Sequence, residues 1–243
     1  MIKHADFSLS IAGLQVPLSL HHADAAAYFG TYAGPVDTLA GDSISVASFQ
    51  WNAWLADGGL DDGYSEYTCL TAAVSDALLQ HDRCIIHAAA FRFGASAWLI
   101  AGPPGVGKST QVRNLQELQP GEFSVICGDR PALQLRDDDV FVHPSPWNGK
   151  EGWHGAGGAP LAGLILLERG EENRFFPLTP REAVFPLLSS LIHTGETEET
   201  IRRLARFADS FLGLVPVFRL CSHDIPASSE LLYQSLFSGR CSD

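Results

Sequence analysis

Residues Ile85–Thr110, IIHAAAFRFGASAWLIAGPPGVGKST, decide the fold. Two apolar runs, IIHAAAFRF and AWLIA, flank the small residues Gly94, Ala95 and Ser96. The second run leads directly into Gly102-Pro103-Pro104-Gly105-Val106-Gly107-Lys108-Ser109, which fits G-x-x-x-x-G-K-[ST] at every fixed position. Val112, Leu115 and Leu118 then recur at helical spacing, so the pattern lies between a strand and a helix. Glycines allow such a backbone to wrap phosphates with its N–H groups turned inward, and a helix N-terminus adds positive potential. Lys108 is expected to reach the β/γ-phosphates and the Ser109 hydroxyl to ligate Mg²⁺, with Thr110 completing the phosphate turn. The ligand implied is a nucleoside triphosphate with Mg²⁺.

The upstream run carries His87. A three-residue turn at 94–96 would set Phe93 opposite Ala97, Phe91 opposite Leu99 and Ala89 opposite Ala101. His87 would then fall opposite Pro103 and flank the phosphate turn. It is either a core histidine satisfied by the backbone, or an imidazole that bonds a phosphate oxygen, ligates the metal or holds a carboxylate. Downstream, FSVICGDRPAL ends an apolar run at Asp129, about twenty residues beyond Lys108, where an acid serving the metal belongs. Gly128-Asp129-Arg130-Pro131 also has the composition of a plain turn. Arg130 is a second candidate phosphate clamp. The rival acids Asp137–Asp139 precede VFVHP in an apparent hairpin turn, which makes them a solvated loop.

Around this centre the chain divides at DGGLDDG, 57–63, whose glycines and acids favour neither helix nor strand. Residues 1–63 are expected to form a small β-rich lobe: FSLSIAGLQVPLSL alternates about Ala12-Gly13, DSISVASFQWNAWL alternates again, and DAAAYFG is a short helix between them. Residues 64–243 are expected to form a nucleotide-binding domain. It opens with SEYTCLTAAVSDALLQ, where Ser65 is a candidate N-cap and Tyr67, Leu70, Val74, Ala77 and Leu78 share one face. Strands FSVICGD, VFVHP, AGLILLE and VPVFRLC and helices PREAVFPLLSSLIH, EETIRRLARFADSFLG and ASSELLYQSLF complete it. Alternating strands and helices argue for an α/β fold with a central sheet flanked by helices.

Composition narrows the function classes. A net charge of -12 excludes a nonspecific nucleic-acid binder, which needs clustered Lys and Arg. The N-terminus has no signal-peptide pattern and no apolar run reaches the roughly 18 residues of a membrane helix, so no membrane partner is expected. Cys69, Cys84, Cys127, Cys221 and Cys241 are scattered without a C-x-x-C pair, as expected for reduced thiols in a cytoplasmic protein.

The order of elements, helix, strand with histidine, strand into GPPGVGKST, helix, strand into ICGDRPAL, resembles the HPr kinase/phosphorylase family and its phosphoenolpyruvate carboxykinase relatives. The resemblance covers about 65–170 well and the C-terminal helices loosely. It implies a P-loop-containing mixed sheet like the HPr kinase C-terminal domain, with Lys108 and Ser109 on phosphate and metal and His87 beside them. It also implies two adjacent acids after the strand, one as base and one on the metal. Here the pair is Gly128-Asp129, so only the second is present, which points away from HPr itself as substrate.

SPWNGKEGWHG, 145–155, resembles a segment of the small kinase-like relatives. Its glycines and Pro146 make it a loop. Lys150 is placed near the γ-phosphate and Glu151 as a replacement base, with Trp147 and His154 as stacking faces, or else the loop lies at the surface with its tryptophans turned inward. The function expected is transfer of the γ-phosphate of ATP to a hydroxyl of a peptide or protein. The alternatives are a small-molecule kinase and a nucleotide-sensing module. The absence of N-K-x-D and D-x-x-G argues against a GTPase switch. The tryptophans of the N-terminal lobe, Trp51 and Trp54, either meet the acceptor or lie in its core.

Overall fold

The computed structural model describes residues 5–35, 44, 52, 54–60, 62–153, 155, 157–195 and 197–238. Strands β1 (Ala5–Ile11) and β2 (Leu14–Leu20) form a hairpin over Ala12-Gly13. Both turn residues have positive φ, 48° and 76°, as a two-residue turn between right-twisting strands requires. After the one-turn helix α1 (Ala25–Tyr28), β3 (Ala33–Gly34) pairs with the other edge of β1. Phe7, Leu9 and Ile11 and then Val16, Leu18 and Leu20 alternate onto one face. That face packs on Tyr67, Leu70, Val74 and Leu78 of helix α2 (Gly63–Leu78). The cap of α2 is Asp62, whose carboxylate accepts from the Ser65 N–H, so Ser65 is a capped residue and not the expected N-cap. Most of the second alternating run, 42–55, lies outside the described residues, as do Trp51, His154 and Cys241. Of that run, Ile44 bridges Leu18, while 52 and 54–55 are helical where a strand was expected.

The remainder builds a ten-stranded mixed sheet flanked by helices. In chain order it comprises β4 (Arg83–Ile86), β5 (Ala88–Phe93), β6 (Ser96–Ala101), α3 (Lys108–Leu118), β7 (Phe123–Cys127), β8 (Ala132–Leu135), β9 (Val140–His143) and β10 (Ala159–Arg169). β11 (Arg174–Leu178), α4 (Pro180–Ser190), β12 (Leu191–Ile192), α5 (Glu198–Leu214), β13 (Val217–Ser222) and α6 (Ile225–Leu236) follow. The strand order is β12-β4-β8-β9-β10-β6-β5-β7, with β13 on β10 and β11 on β13. Within this sheet, among the described residues, the β6–β10 and β10–β13 pairings are parallel and the others antiparallel. β10 joins the two halves, pairing with β9 through Ala159 and Pro160 and with β6 and β13 beyond them.

The hairpin that decided the fold is one residue tighter than expected. Phe93 faces Ser96 and Ala88 faces Ala101, so the turn is Gly94-Ala95, with Gly94 at φ 58°. Phe91 therefore opposes Trp98, and the register carried on puts His87 opposite Gly102 in place of Pro103. Both faces of these strands are covered, which is why their sequences are continuously apolar. Ala89, Phe91, Phe93, Trp98 and Ile100 pack on Val112 and Leu115 of α3 and Leu232 of α6. Ala88, Ala90, Leu99 and Ala101 face the side closed by Leu187 of α4 and Leu204, Phe207 and Phe211 of α5. The helix expected over 180–193 stops at Ser190, because Leu191 and Ile192 pair with Ile86 and Ile85. Asp137–Asp139 do form the turn between β8 and β9. No helix among the described residues is long and apolar enough to cross a membrane.

Candidate active site at the end of the central strands

The segment 102–107 joins β6 to α3, with Gly107 at φ 111° as the residue before the helix. Gly102 lies against the end of β10: a Cβ there would meet the Leu167 carbonyl oxygen at 2.4 Å. Pro103, Pro104 and Gly105 are exposed at the tip, Val106 is anchored in the core, Ser109 is half-buried and Thr110 is exposed. Lys108, only 8% exposed, folds back over the turn. Its Nζ donates to the Gly102 carbonyl at 3.0 Å and the Pro103 carbonyl at 3.5 Å, and lies 3.2 Å from His87 Nε2. Burial pushes the Lys108 ammonium below its ordinary pKa, and the nearby Asp129 charge opposes that shift.

His87 occupies the break between β4 and β5, held by its own N–H to the Ser190 carbonyl at 2.8 Å. Ala88 N–H donates to the Asp129 carbonyl at 2.8 Å, so the histidine and the end of β7 are fixed to one another through the backbone. His87 Nε2 is 3.2 Å from Asp129 Oδ1. One ring nitrogen thus faces both the lysine and the carboxylate: it accepts from Lys108 when unprotonated and donates to Asp129 when protonated. Burial pushes the Asp129 carboxyl up, but the hydrogen bond and charge of His87, with Arg130 and Lys108, bring it below the usual carboxylate value of 3.8. The stability this cluster contributes is therefore present above pH 3.8 and lost as the pH falls through the lowered folded value. Urea unfolding against pH is expected to show this acid limb in the unmodified chain and a shallower one in Asp129→Asn.

Arg130 is held by Asp129 and Thr71. Its Nε is 3.3 Å from Asp129 Oδ2 and one terminal nitrogen donates to the Thr71 hydroxyl at 2.9 Å. Lys150 and Glu151 lie on the exposed outer turn of the 145–153 loop, and Glu151 pairs with Arg113 of α3 at 2.9 Å. Among the described residues, no hydrogen bond or ion pair joins Glu151 to His87, Lys108 or Asp129. Trp147 turns inward, stacked on Tyr67, with its indole N–H donating to the Tyr67 carbonyl at 2.8 Å.

This loop also accounts for Gly128. Its backbone docks on β7 and the residues after it: Gly155 N–H donates to Ile126, while Gly128 and Arg130 donate to Trp153 and Trp147, all at 3.0 Å. A Cβ on Gly128 would lie 2.5 Å from the Asn148 carbonyl oxygen and 3.2 Å from Trp153 Cβ. The position where the resemblance implies a first acid is thus covered by loop backbone. Gly128→Asp is expected to overpack this contact, costing about 1–3 kcal/mol and lowering Tm by roughly 2–12 °C. Calorimetry would check this; an unchanged Tm would mean the loop lifts freely.

Sequence reasoning missed Thr71 and the three tyrosines, Tyr28, Tyr64 and Tyr67, that stand beside Arg130. Tyr64, Tyr67, Thr68 and Thr71 recur at helical spacing, a polar and aromatic stripe that could have been found. It also missed the buried hydroxyls of α6. The Gln111 amide nitrogen donates to Ser228 Oγ at 2.5 Å, and Ser229 Oγ donates to the Gln111 amide oxygen at 2.5 Å, tying α3 to α6.

No protein-family model matches the chain, and no curated protein matches it. Among solved structures, the HPr(Ser) kinase/phosphatase from Coxiella burnetii is similar to it at a TM-score of 0.37 and 14% identity, over 62% of this chain and 94% of that one. What the chain does rests on its own residues.

Proposed function

We propose that the chain is an ATP-dependent phosphotransferase that moves the γ-phosphate to a hydroxyl of a peptide or protein. The observation that carries this is the meeting of Lys108 Nζ and Asp129 Oδ1 on His87 Nε2, each 3.2 Å from that nitrogen, at the base of a glycine-rich turn before α3. The donor set suits a nucleotide: backbone N–H groups and Lys108 for phosphates, Ser109 and Asp129 for Mg²⁺, which would neutralise charge developing on the phosphate oxygens. The acceptor oxygen forms the new bond to the γ-phosphorus as the bond to the β–γ bridging oxygen breaks, ADP leaves, and the hydroxyl proton passes to a carboxylate or to water.

Asp129 suits metal binding and acceptor positioning better than proton abstraction, because its lowered pKa makes it a weak base. Phosphoryl transfer depends mainly on positioning and charge, so a weak base is tolerable. Glu151 could replace it only after releasing Arg113. The covered Gly128 position favours one second reading, a sensing module that binds nucleotide and turns it over slowly. Transfer of label from γ-labelled ATP with Mg²⁺ into extract from the source cell separates them. Label entering a protein supports the transferase, label entering a small molecule makes it a small-molecule kinase, and ATP binding with no acceptor labelled leaves the sensor.

A further inference from the structure

On the side of Asp129 away from His87 lies a cavity of about 270 Å³. Its floor is Asp129, Arg130 and Asn148, and its wall is Tyr28, Tyr64 and Tyr67. Three parts of the chain build it. Gly63 brings the first two together, since a Cβ there would meet Asp24 Oδ1 at 2.6 Å and the Ala25 nitrogen at 2.7 Å. Buried Glu66 accepts the backbone N–H groups of His21 and His22 at 2.7 and 2.8 Å, fastening the segment before α1 onto α2. The third part, the 145–149 loop, is held by Tyr67 Oη donating to the Pro146 carbonyl at 2.7 Å.

The wall is aromatic and open. Tyr28 and Tyr64 are 46% and 53% exposed, with ring centroids 5.4 Å apart, and Tyr67 lies 5.5 and 6.0 Å from them. Tyr28 and Tyr64 meet edge to face at 66°, and Tyr67 is tilted 33° and 36° to them, so the rings close on one another and offer a stepped aromatic wall for one further ring and not a cage around a cation. No residue of 102–109 lines the cavity, and its volume falls just under the roughly 300–1,000 Å³ of small-molecule clefts. It therefore suits one or two side chains and not a whole nucleotide. Asp129 is the partition: one carboxylate oxygen faces His87 on the phosphate-turn side and the other faces Arg130 on the cavity side.

We propose that this cavity is the acceptor site and that it selects a hydroxyl-bearing residue next to an aromatic one, the ring resting on Tyr28 and Tyr64 and the hydroxyl at Asp129. The proposal rests on the transferase reading and gives that site its substrate class. It also gives the N-terminal segment a part in recognition, through Tyr28.

The test is a nucleotide-free titration of the full chain with two capped dipeptides, phenylalanyl-serine amide and alanyl-serine amide, followed by ligand-observed NMR. Phenylalanyl-serine amide should bind about tenfold more tightly than alanyl-serine amide, and Tyr64→Ala should weaken it about fivefold. Tyr28→Ala is the second variant, and circular dichroism shows whether each is folded. Equal binding of the two dipeptides, or an unchanged affinity in both folded variants, overturns the proposal. Because no nucleotide is present, the result is independent of transfer. A chain that binds the aromatic dipeptide through Tyr64 but labels nothing from ATP upholds the cavity as a ligand site and overturns the transferase reading.

Discussion

Lys108→Ala is expected to lower label transfer from ATP by on the order of 10²–10³-fold, the size of losing one preorganised charge aimed at a reacting oxygen. The side chain is almost fully buried, so its charge acts in a medium that screens it weakly. The ammonium is held by the Gly102 and Pro103 carbonyls and by His87, and these contacts point it along the turn. A phosphate chain would compensate the burial that now depresses its pKa, which is the physical reason ATP should bind there. Alanine removes both the charge and the groups' common partner. Titration with ATP and the label-transfer assay, run on both chains, check this. Unchanged binding and transfer would remove the 102–109 turn from the site altogether.

Phe237→Ala is expected to have the largest effect on stability, about 3–5 kcal/mol, or a Tm lower by roughly 6–20 °C. Phe237 follows α6, is fully buried, and is ringed by Phe93 at 4.7 Å, Trp98 at 5.2 Å and Phe123 at 5.2 Å. These neighbours stand on paired strands β5, β6 and β7, which cannot collapse into the space left by the ring. The same packing seats α6 beside α3, so activity should fall with the folded fraction and not through a changed affinity for ATP. Calorimetry on the variant gives the loss directly; a shift below 2 °C would mean that the cluster repacks.

Much of the fold was legible locally. Continuous apolar strands, Gly94, the glycine-rich pattern and the spacing of Tyr67, Leu70, Val74 and Leu78 each carry their periodicity in neighbouring residues. Two of the differences fall where two elements compete for one residue. Leu191 and Ile192 continue a helical pattern but pair with β4, and the hairpin lost one residue because Ser96 joins the ladder opposite Phe93. Strand β11 is short and contains Pro177 on a sheet edge, so its strand character comes from β13, about forty residues further along the chain.

At the candidate site, Lys108, Ser109, His87 and Asp129 could be named as candidates from local pattern, because strand, turn and helix chemistry is written in contiguous residues, and the structure brings His87, Lys108 and Asp129 together. Their mutual distances could not, nor could the docking of 145–155 that covers Gly128, nor the tyrosine wall assembled from residues 28, 64 and 67. Periodicity reports which side chains are buried and in what local conformation. Which distant groups then share one carboxylate is decided by packing, because only the closed fold brings β7, α2 and the N-terminal segment within reach of Asp129.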